Sequence, residues 1–394
     1  MTASSTVTGK MCPMRHDPKA YRAHSLPFSD WPIAHQDAWR HAFKKQGPFA
    51  KPNAASKWRE DSIDKTRKGN GIWLSWFMRR SGLPHHVFLA SRPEDLVTRD
   101  HVQMYVDDMS SSSSSMTVYN HIQELYDTIT NITPHLPKTD WIWLKAAWQN
   151  LRNEATPVRN KLPALREADQ LEALGLKLMR DAEAAPERNY HQAEGLTVLQ
   201  RALMYRDGLM VALLIRRPFR IKNFYSLTIG TNFLIEDAGI TFDFQACEMK
   251  GKRSMTVPFP VNLLPHLKRY IDHYRPILLE TSDKSTNEPT DALWVSRDGT
   301  ALTQGPLRVA IYKRTEQEFG VRIPPHWFRD AAVTTLIRDK PESAKLTGAI
   351  LGHTDHTIVQ KHYNQSQMIH ASRRHYQTIC ELLELSASDT VTAA

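Results

Sequence analysis

The sequence predicts a mainly α-helical chain carrying one small antiparallel β-hairpin or sheet, and three observations lead there. Val118, Ile122, Leu125, Ile129 and Ile132 recur at steps of four, three, four and three, the stripe of a helix with one face in a core. Ile240, Phe242, Phe244 and Ala246 instead alternate with Thr241, Asp243 and Gln245, the two-residue period of a strand. Between these regions, Asn153 to Pro163 holds two prolines and little apolar content, a break suited to joining two domains.

Taken in order, residues 1–60 are rich in proline, histidine and polar side chains without a sustained period, and are expected to form a loosely ordered arm. Residues 61–152 predict a small helical domain. Its first helix carries the dense apolar run Ile72 to Met78, and a second opens at Thr98 with Val102, Tyr105 and Val106. The six serines Ser110 to Ser115 predict a solvated loop before the amphipathic stripe, and Trp141, Leu144 and Trp148 mark a further helix. After the link at 153–163, residues 164–385 predict a second domain. Leu171, Leu174 and Leu178 begin one helix, and Leu203 to Ile215 is a nearly all-apolar one. Met255 to Pro258 can return antiparallel to the alternating strand, with Lys250, Gly251, Lys252 and Arg253 near the turn. The last residues, 386–394, are expected to be disordered.

Composition narrows the function classes. No run reaches the ~18 apolar residues of a membrane-spanning helix, and mean hydropathy is −0.48. The polar start, Met1 to Lys10, does not read as a secretory signal, and three scattered cysteines supply neither a disulfide framework nor a four-ligand zinc site. A reducing cytoplasm is the compartment expected. Lys and Arg total 51 against 42 Asp and Glu, a formal charge of +9 that suits a polyanionic partner without naming one.

Four clusters in the second half carry candidate chemistry. Arg216-Arg217-Pro218-Phe219-Arg220 closes the apolar helix, and Lys250 lies in the hairpin. His326-Trp327-Phe328-Arg329 places His326 and Arg329 on one helical face, and Leu351-Gly352-His353 precedes Tyr363 by ten residues from the histidine. Singly, each has an ordinary explanation: a surface pair, a turn lysine, a packed histidine, a core aromatic. His353, His356 and His362 lack the accompanying ligands that would make them a metal site.

In order, the four are far more specific. An arginine on a helix, then a hairpin lysine, HxxR, LGH and tyrosine resembles the tyrosine recombinase (phage integrase) family. The resemblance covers roughly residues 70 to 385, with its specific motifs in 216–363. Lys250 stands seven residues before Val257 of the Val257-Pro258 pair, the spacing the family shows. Residue by residue, the resemblance implies catalytic roles for Arg220, Lys250, His326, Arg329, His353 and Tyr363, with Tyr363 as nucleophile. It implies a helical core-binding domain followed by a mixed helical and β-sheet catalytic domain, double-stranded DNA held at specific sites, a homotetramer on DNA, and no cofactor, metal or membrane. Two departures stand out: Asn223 occupies a usually acidic position, and the interval from LGH to the tyrosine is one residue longer than the commonest form. A type IB topoisomerase-like enzyme shares the chemistry, and a non-catalytic DNA-binding regulator is the alternative that Asn223 suggests.

The chemistry asks for these residue types. At a reference pKa near 10, only about one tyrosine in a thousand is ionised at pH 7, a deficit of about 4 kcal/mol. Two guanidiniums can fork onto the non-bridging oxygens of a phosphodiester, a geometry lysine does not offer. His326 suits acceptance of the tyrosine proton, His353 donation to the phosphate, and Lys250 protonation of the leaving 5′-oxygen. Lys65, Arg67, Lys68, Arg216, Arg217, Arg373 and Arg374 are candidate phosphate contacts. Ile379, Leu382 and Leu383 form a small apolar stripe that packs on its own domain or on a neighbouring subunit.

Overall fold

The computed structural model describes residues 24–44, 54–156, 165–188, 194–237, 239–249, 251–281 and 290–339. The chain forms two compact units, parting between residues 160 and 161. Helix α7 continues through Glu154, so the first two residues of the expected link are helical, and residues 157–164 lie outside the described residues.

The N-terminal unit is helical: α1 (Ile33–Phe43), α2 (Glu60–Arg80), α3 (His85–Ala90), α4 (Pro93–Leu96), α5 (Arg99–Ser110), α6 (Ser115–Ile132) and α7 (Ile142–Glu154). The predicted stripe of α6 is buried throughout, and the Thr98 side chain caps α5 by accepting from the His101 amide. Of the serine run, Ser110 ends α5, Ser114 caps α6 and Ser115 is already helical, which leaves a turn shorter than the loop expected. Helix α2 is buried all round from Gly69 to Phe77 and sits at the centre of the core.

The expectation of a loosely ordered arm fails for residues 24–44, which fold onto this core. The Leu26 amide donates to the Gly71 carbonyl at 2.9 Å and Ser25 Oγ to the Lys68 carbonyl at 3.0 Å. A Cβ on Gly71 would lie 2.3 Å from Ser25 Oγ and 2.8 Å from the Leu26 carbonyl oxygen, so the glycine admits the strand-like segment. Phe28, Trp31, Trp39, Phe43 and Trp58 then form a continuous ladder of ring contacts, with centroids 4.7–5.9 Å apart. Aromatic burial holds the segment despite its prolines.

His35 in α1 is buried, and desolvation pushes its pKa down to about 4, outweighing the opposing pulls of the Arg92 backbone and the Asp95 carboxylate. With a folded pKa below the unfolded one, the unfolded chain binds the extra proton between about pH 4 and 6.5, so stability is lost as pH falls through that window. Between pH 7 and 5 the loss is expected to be about 2 kcal/mol. Urea unfolding of His35→Leu at the two pH values checks this: the difference should shrink by about that amount. An unchanged difference would remove His35 as its source.

The C-terminal unit is built on α8 (Ala168–Ala184) and α9 (Val198–Arg216). Their axes approach closely at facing glycines. A Cβ on Gly175 would lie 2.7 Å from the Gly208 carbonyl oxygen, and one on Gly208 would lie 2.7 Å from the Gly175 carbonyl oxygen. Thr197 and Gln200 cap the start of α9 reciprocally, and from Leu209 to Ile215 every residue of it is buried. A short α10 (Ile221–Tyr225) leads to the sheet, β1 (Phe233–Glu236), β2 (Gly239–Phe244) and β3 (Met255–Pro258), antiparallel in that order. Phe242 faces Phe233 on one side and Val257 on the other. Strand β1 was not expected. Helices α11 (Leu264–Arg269), α12 (Arg275–Leu279), α13 (Gln304–Phe319) and α14 (Pro325–Asp339) follow, and the described residues of the unit are mainly α with a small antiparallel sheet. Among the described residues, no helix is long and apolar enough to cross a membrane.

Candidate active site

Arg220 stands at the corner between α9 and α10, and the local sequence explains why the chain turns there. Pro218 cannot continue α9 without losing a helical hydrogen bond. Phe219 is buried edge-on against Phe242 and Phe244 of β2, with ring centroids at 4.9 and 5.2 Å, which nails the corner to the sheet. Arg217 Nε and Nη2 both donate to the Pro258 carbonyl at the end of β3, at 3.0 and 2.8 Å. Arg220 is then the N-cap residue of α10, half-buried, and desolvation lowers its pKa.

His326 and Arg329 lie in the first turns of α14, opened by Pro325. His326 is exposed and its ring meets that of Trp327 edge-on at 6.1 Å. Arg329 is half-buried and its Nη1 donates to the Pro218 carbonyl, so α14 grips the corner that presents Arg220. Burial pushes the Arg329 pKa down to about 10, and the nearby Arg220 charge adds to that fall while Asp330 opposes it. Both guanidiniums remain cationic at neutral pH. The fold thus brings two like charges together in partly desolvated surroundings, a place that favours a bound anion.

Of the six expected site residues, the structure describes Arg220, His326 and Arg329; Lys250, His353 and Tyr363 lie outside the described residues. The segment leading to Lys250 is described. Asn223 is buried in α10, and its Nδ2 donates to the Glu248 carbonyl and to Met249 Sδ, both at 3.4 Å. Among the described residues no group of three His, Cys, Asp or Glu side chains could hold a metal ion.

Several expected phosphate contacts are engaged within the protein. Arg216 pairs with Glu172 at 2.6 Å, Lys65 with Glu124 at 2.9 Å and Arg67 with Asp64 at 2.7 Å. Arg217 serves as a brace on β3. The sequence marked it only as a member of a basic run, and nothing local announces a partner 41 residues away. Arg373, Arg374 and the stripe at Ile379, Leu382 and Leu383 lie outside the described residues.

Residues 190–370, which include all six expected catalytic positions from Arg220 to Tyr363, match the family model described as the phage integrase family. The tyrosine recombinase XerD of Staphylococcus epidermidis (strain RP62A) is 25% identical over 167 residues, 42% of this chain and 52% of that protein. XerD of Staphylococcus saprophyticus is 26% identical over 171 residues, with the same shares. The chain spans about half the length of these curated relatives. Among solved structures, the XerH site-specific recombinase bound to difH substrate, in a pre-cleavage complex, aligns at 13% identity with a TM-score of 0.48, covering 86% of this chain and 96% of that one. The match to the phage integrase family model falls within the C-terminal unit, whose described residues are mostly helical with a small sheet and include Arg220 and Arg329. The phage integrase family is thus what residues 190–370 of this chain are similar to, and the relatives just named are tyrosine recombinases.

Proposed function

We propose that the chain is a site-specific DNA recombinase that cuts and rejoins strands through a 3′-phosphotyrosyl intermediate. The observation that carries the reading is the Arg220–Arg329 pair, two partly desolvated guanidiniums that the α9–α10 corner and α14 hold side by side. A phosphodiester anion between them would relieve their repulsion, and the extra charge of a pentacoordinate phosphorus would be stabilised more than the ground state. In the step proposed, Tyr363 Oη bonds to phosphorus as its proton passes to His326. The bond from phosphorus to the 5′-oxygen breaks, and Lys250 gives that oxygen a proton. The phosphodiester count is conserved, so a second 5′-hydroxyl reverses the step on another strand. His353 donates to the phosphate. Four protomers on two duplexes, a mobile-element role and a place on cytoplasmic nucleoid DNA belong to the same reading.

The test is covalent trapping. The whole chain, incubated with DNA from its own genomic flanks and quenched in SDS, should form a protein–DNA adduct that Tyr363→Phe abolishes while DNA binding persists. An adduct that survives Tyr363→Phe and vanishes in Tyr376→Phe would move the nucleophile. No adduct at all would leave a DNA-binding regulator, and an adduct with supercoil relaxation but no exchange between two sites would leave the topoisomerase-like alternative.

A further inference from the structure

Asn223 stands three residues after Arg220, yet its described hydrogen bonds run away from the arginines. They reach the loop between β2 and β3. Glu248 O and Met249 Sδ are both acceptors, so the amide must turn Nδ2 toward them, and a carboxylate at this position would have no hydrogen to give. Asn223 is 5% exposed, so water cannot substitute freely for the lost donor.

The same loop is held from a second direction. Glu248 Oε1 accepts from Asn232 Nδ2 at 2.8 Å, and Glu248 Oε2 accepts from the Gln245 amide at 2.8 Å. Asn232 is itself buried and fixed, its Oδ1 accepting from the Thr228 amide at 2.8 Å and its Nδ2 donating to the Ser226 carbonyl at 3.2 Å. Beyond Met249, the Lys252 amide donates back to the Met249 carbonyl at 3.0 Å, and Lys252 takes a left-handed backbone, with φ at 53°. Two buried amides therefore clamp Glu248, one by its backbone and one by its side chain, in the residues that immediately precede Lys250.

We propose that Asn223 is a positioning residue for the leaving-group acid: it fixes the β2–β3 loop so that the acid reaches the 5′-oxygen, and it does not act by orienting Arg220. This rests on the reading of Lys250 as that acid. The inference explains an amide where charge would be expected if the task were to steer a guanidinium. Replacing it with aspartate removes the donor and sets an acceptor against the Glu248 carbonyl.

A substrate with sulfur in place of the bridging 5′-oxygen separates the two roles, because a thiolate leaves without a proton donor. Asn223→Ala should cleave ordinary DNA about 10- to 100-fold more slowly, a part of the 10²–10⁴-fold that proton donation contributes, and should return to near the wild-type rate on the sulfur substrate. Asn223→Asp should show the same rescue. Glu248→Ala, a half-buried change made from the loop side, should show it too and keeps the test informative if Asn223→Ala unfolds. Lys250→Ala is the reference. If Lys250→Ala is rescued while the Asn223 and Glu248 variants are equally slow on both substrates, the positioning role is wrong and the acid assignment stands. If Lys250→Ala is not rescued, the acid assignment fails, and the inference falls with it.

Discussion

Arg329→Ala is expected to bind DNA and to slow single-turnover cleavage by about 10²–10³-fold, the cost of removing one preorganised donor from a developing oxyanion. Two losses combine in that figure. One is the charge that, on the proposed reading, serves the phosphate. The other is the grip on the Pro218 carbonyl, through which α14 holds the corner that presents Arg220. Arg329→Lys distinguishes them from a simple loss of charge: lysine restores a cation without the planar fork that can serve a carbonyl and a phosphate oxygen together, so most of the defect should remain. Burial and the nearby Arg220 charge lower the Arg329 pKa to about 10. Rapid-quench measurement of the covalent adduct checks the rate. Wild-type cleavage by Arg329→Ala would take the arginine pair out of the reaction.

The helices and the first arginine corner were legible because their signals are local. The stripe of α6 and the alternation of β2 each depend on neighbours within a few residues; the structure buries the whole stripe, and the strand runs as read to Phe244, two residues short of Ala246. Strand β1 was not legible for the same reason. Phe233-Leu234-Ile235-Glu236 is four residues without alternation, buried at Phe233 and exposed at the far end, and only pairing with β2 makes it a strand. Residues 24–44 misled because prolines and histidines broke the eye's period. His35, Trp39 and Ala42 do fall on one face of α1, yet what anchors the segment is a contact with Gly71 in a different helix.

Within the site, the ordered motifs pointed to Arg220, His326 and Arg329 through resemblance, while their supports were invisible. Arg217 to Pro258 and Arg329 to Pro218 join residues 41 and 111 apart, and both acceptors are backbone carbonyls, which carry no residue-type signature. In the sequence Asn223 reads as an amide at a usually acidic position, able to orient a guanidinium through its carbonyl oxygen but bringing no charge. Its role as a donor needed the coordinates of the loop it touches.

Asp207→Ala is expected to destabilise the C-terminal unit by about 3–5 kcal/mol, because it strands two guanidiniums in the interior. In sequence Asp207 is one polar interruption in an apolar helix. In the structure its Oδ1 accepts from Arg206 Nε and Nη2 at 3.1 and 2.7 Å, and its Oδ2 accepts from Arg314 Nε of α13 at 3.0 Å. Arg206 Nη1 also donates to the Val295 carbonyl at 2.7 Å, so the carboxylate ties α9 to α13 and holds the guanidinium that reaches Val295. Arg206 and Asp207 are each 4% exposed, and at that burial no solvent replaces the lost partner. For a unit of this size the melting temperature should fall by about 6–20 °C. The half-exposed pair of Arg216 with Glu172 is the control, and Arg216→Ala should cost no more than about 1 kcal/mol. Replacing Arg206, Asp207 and Arg314 together by Met, Leu and Met should recover most of the stability, since apolar side chains need no partner. Thermal unfolding of the four proteins decides it. If Asp207→Ala melts with the wild type, the network contributes nothing to the frame that carries Arg220. If the triple variant is as unstable as Asp207→Ala, the loss comes from poorer packing, with stranded charge contributing nothing.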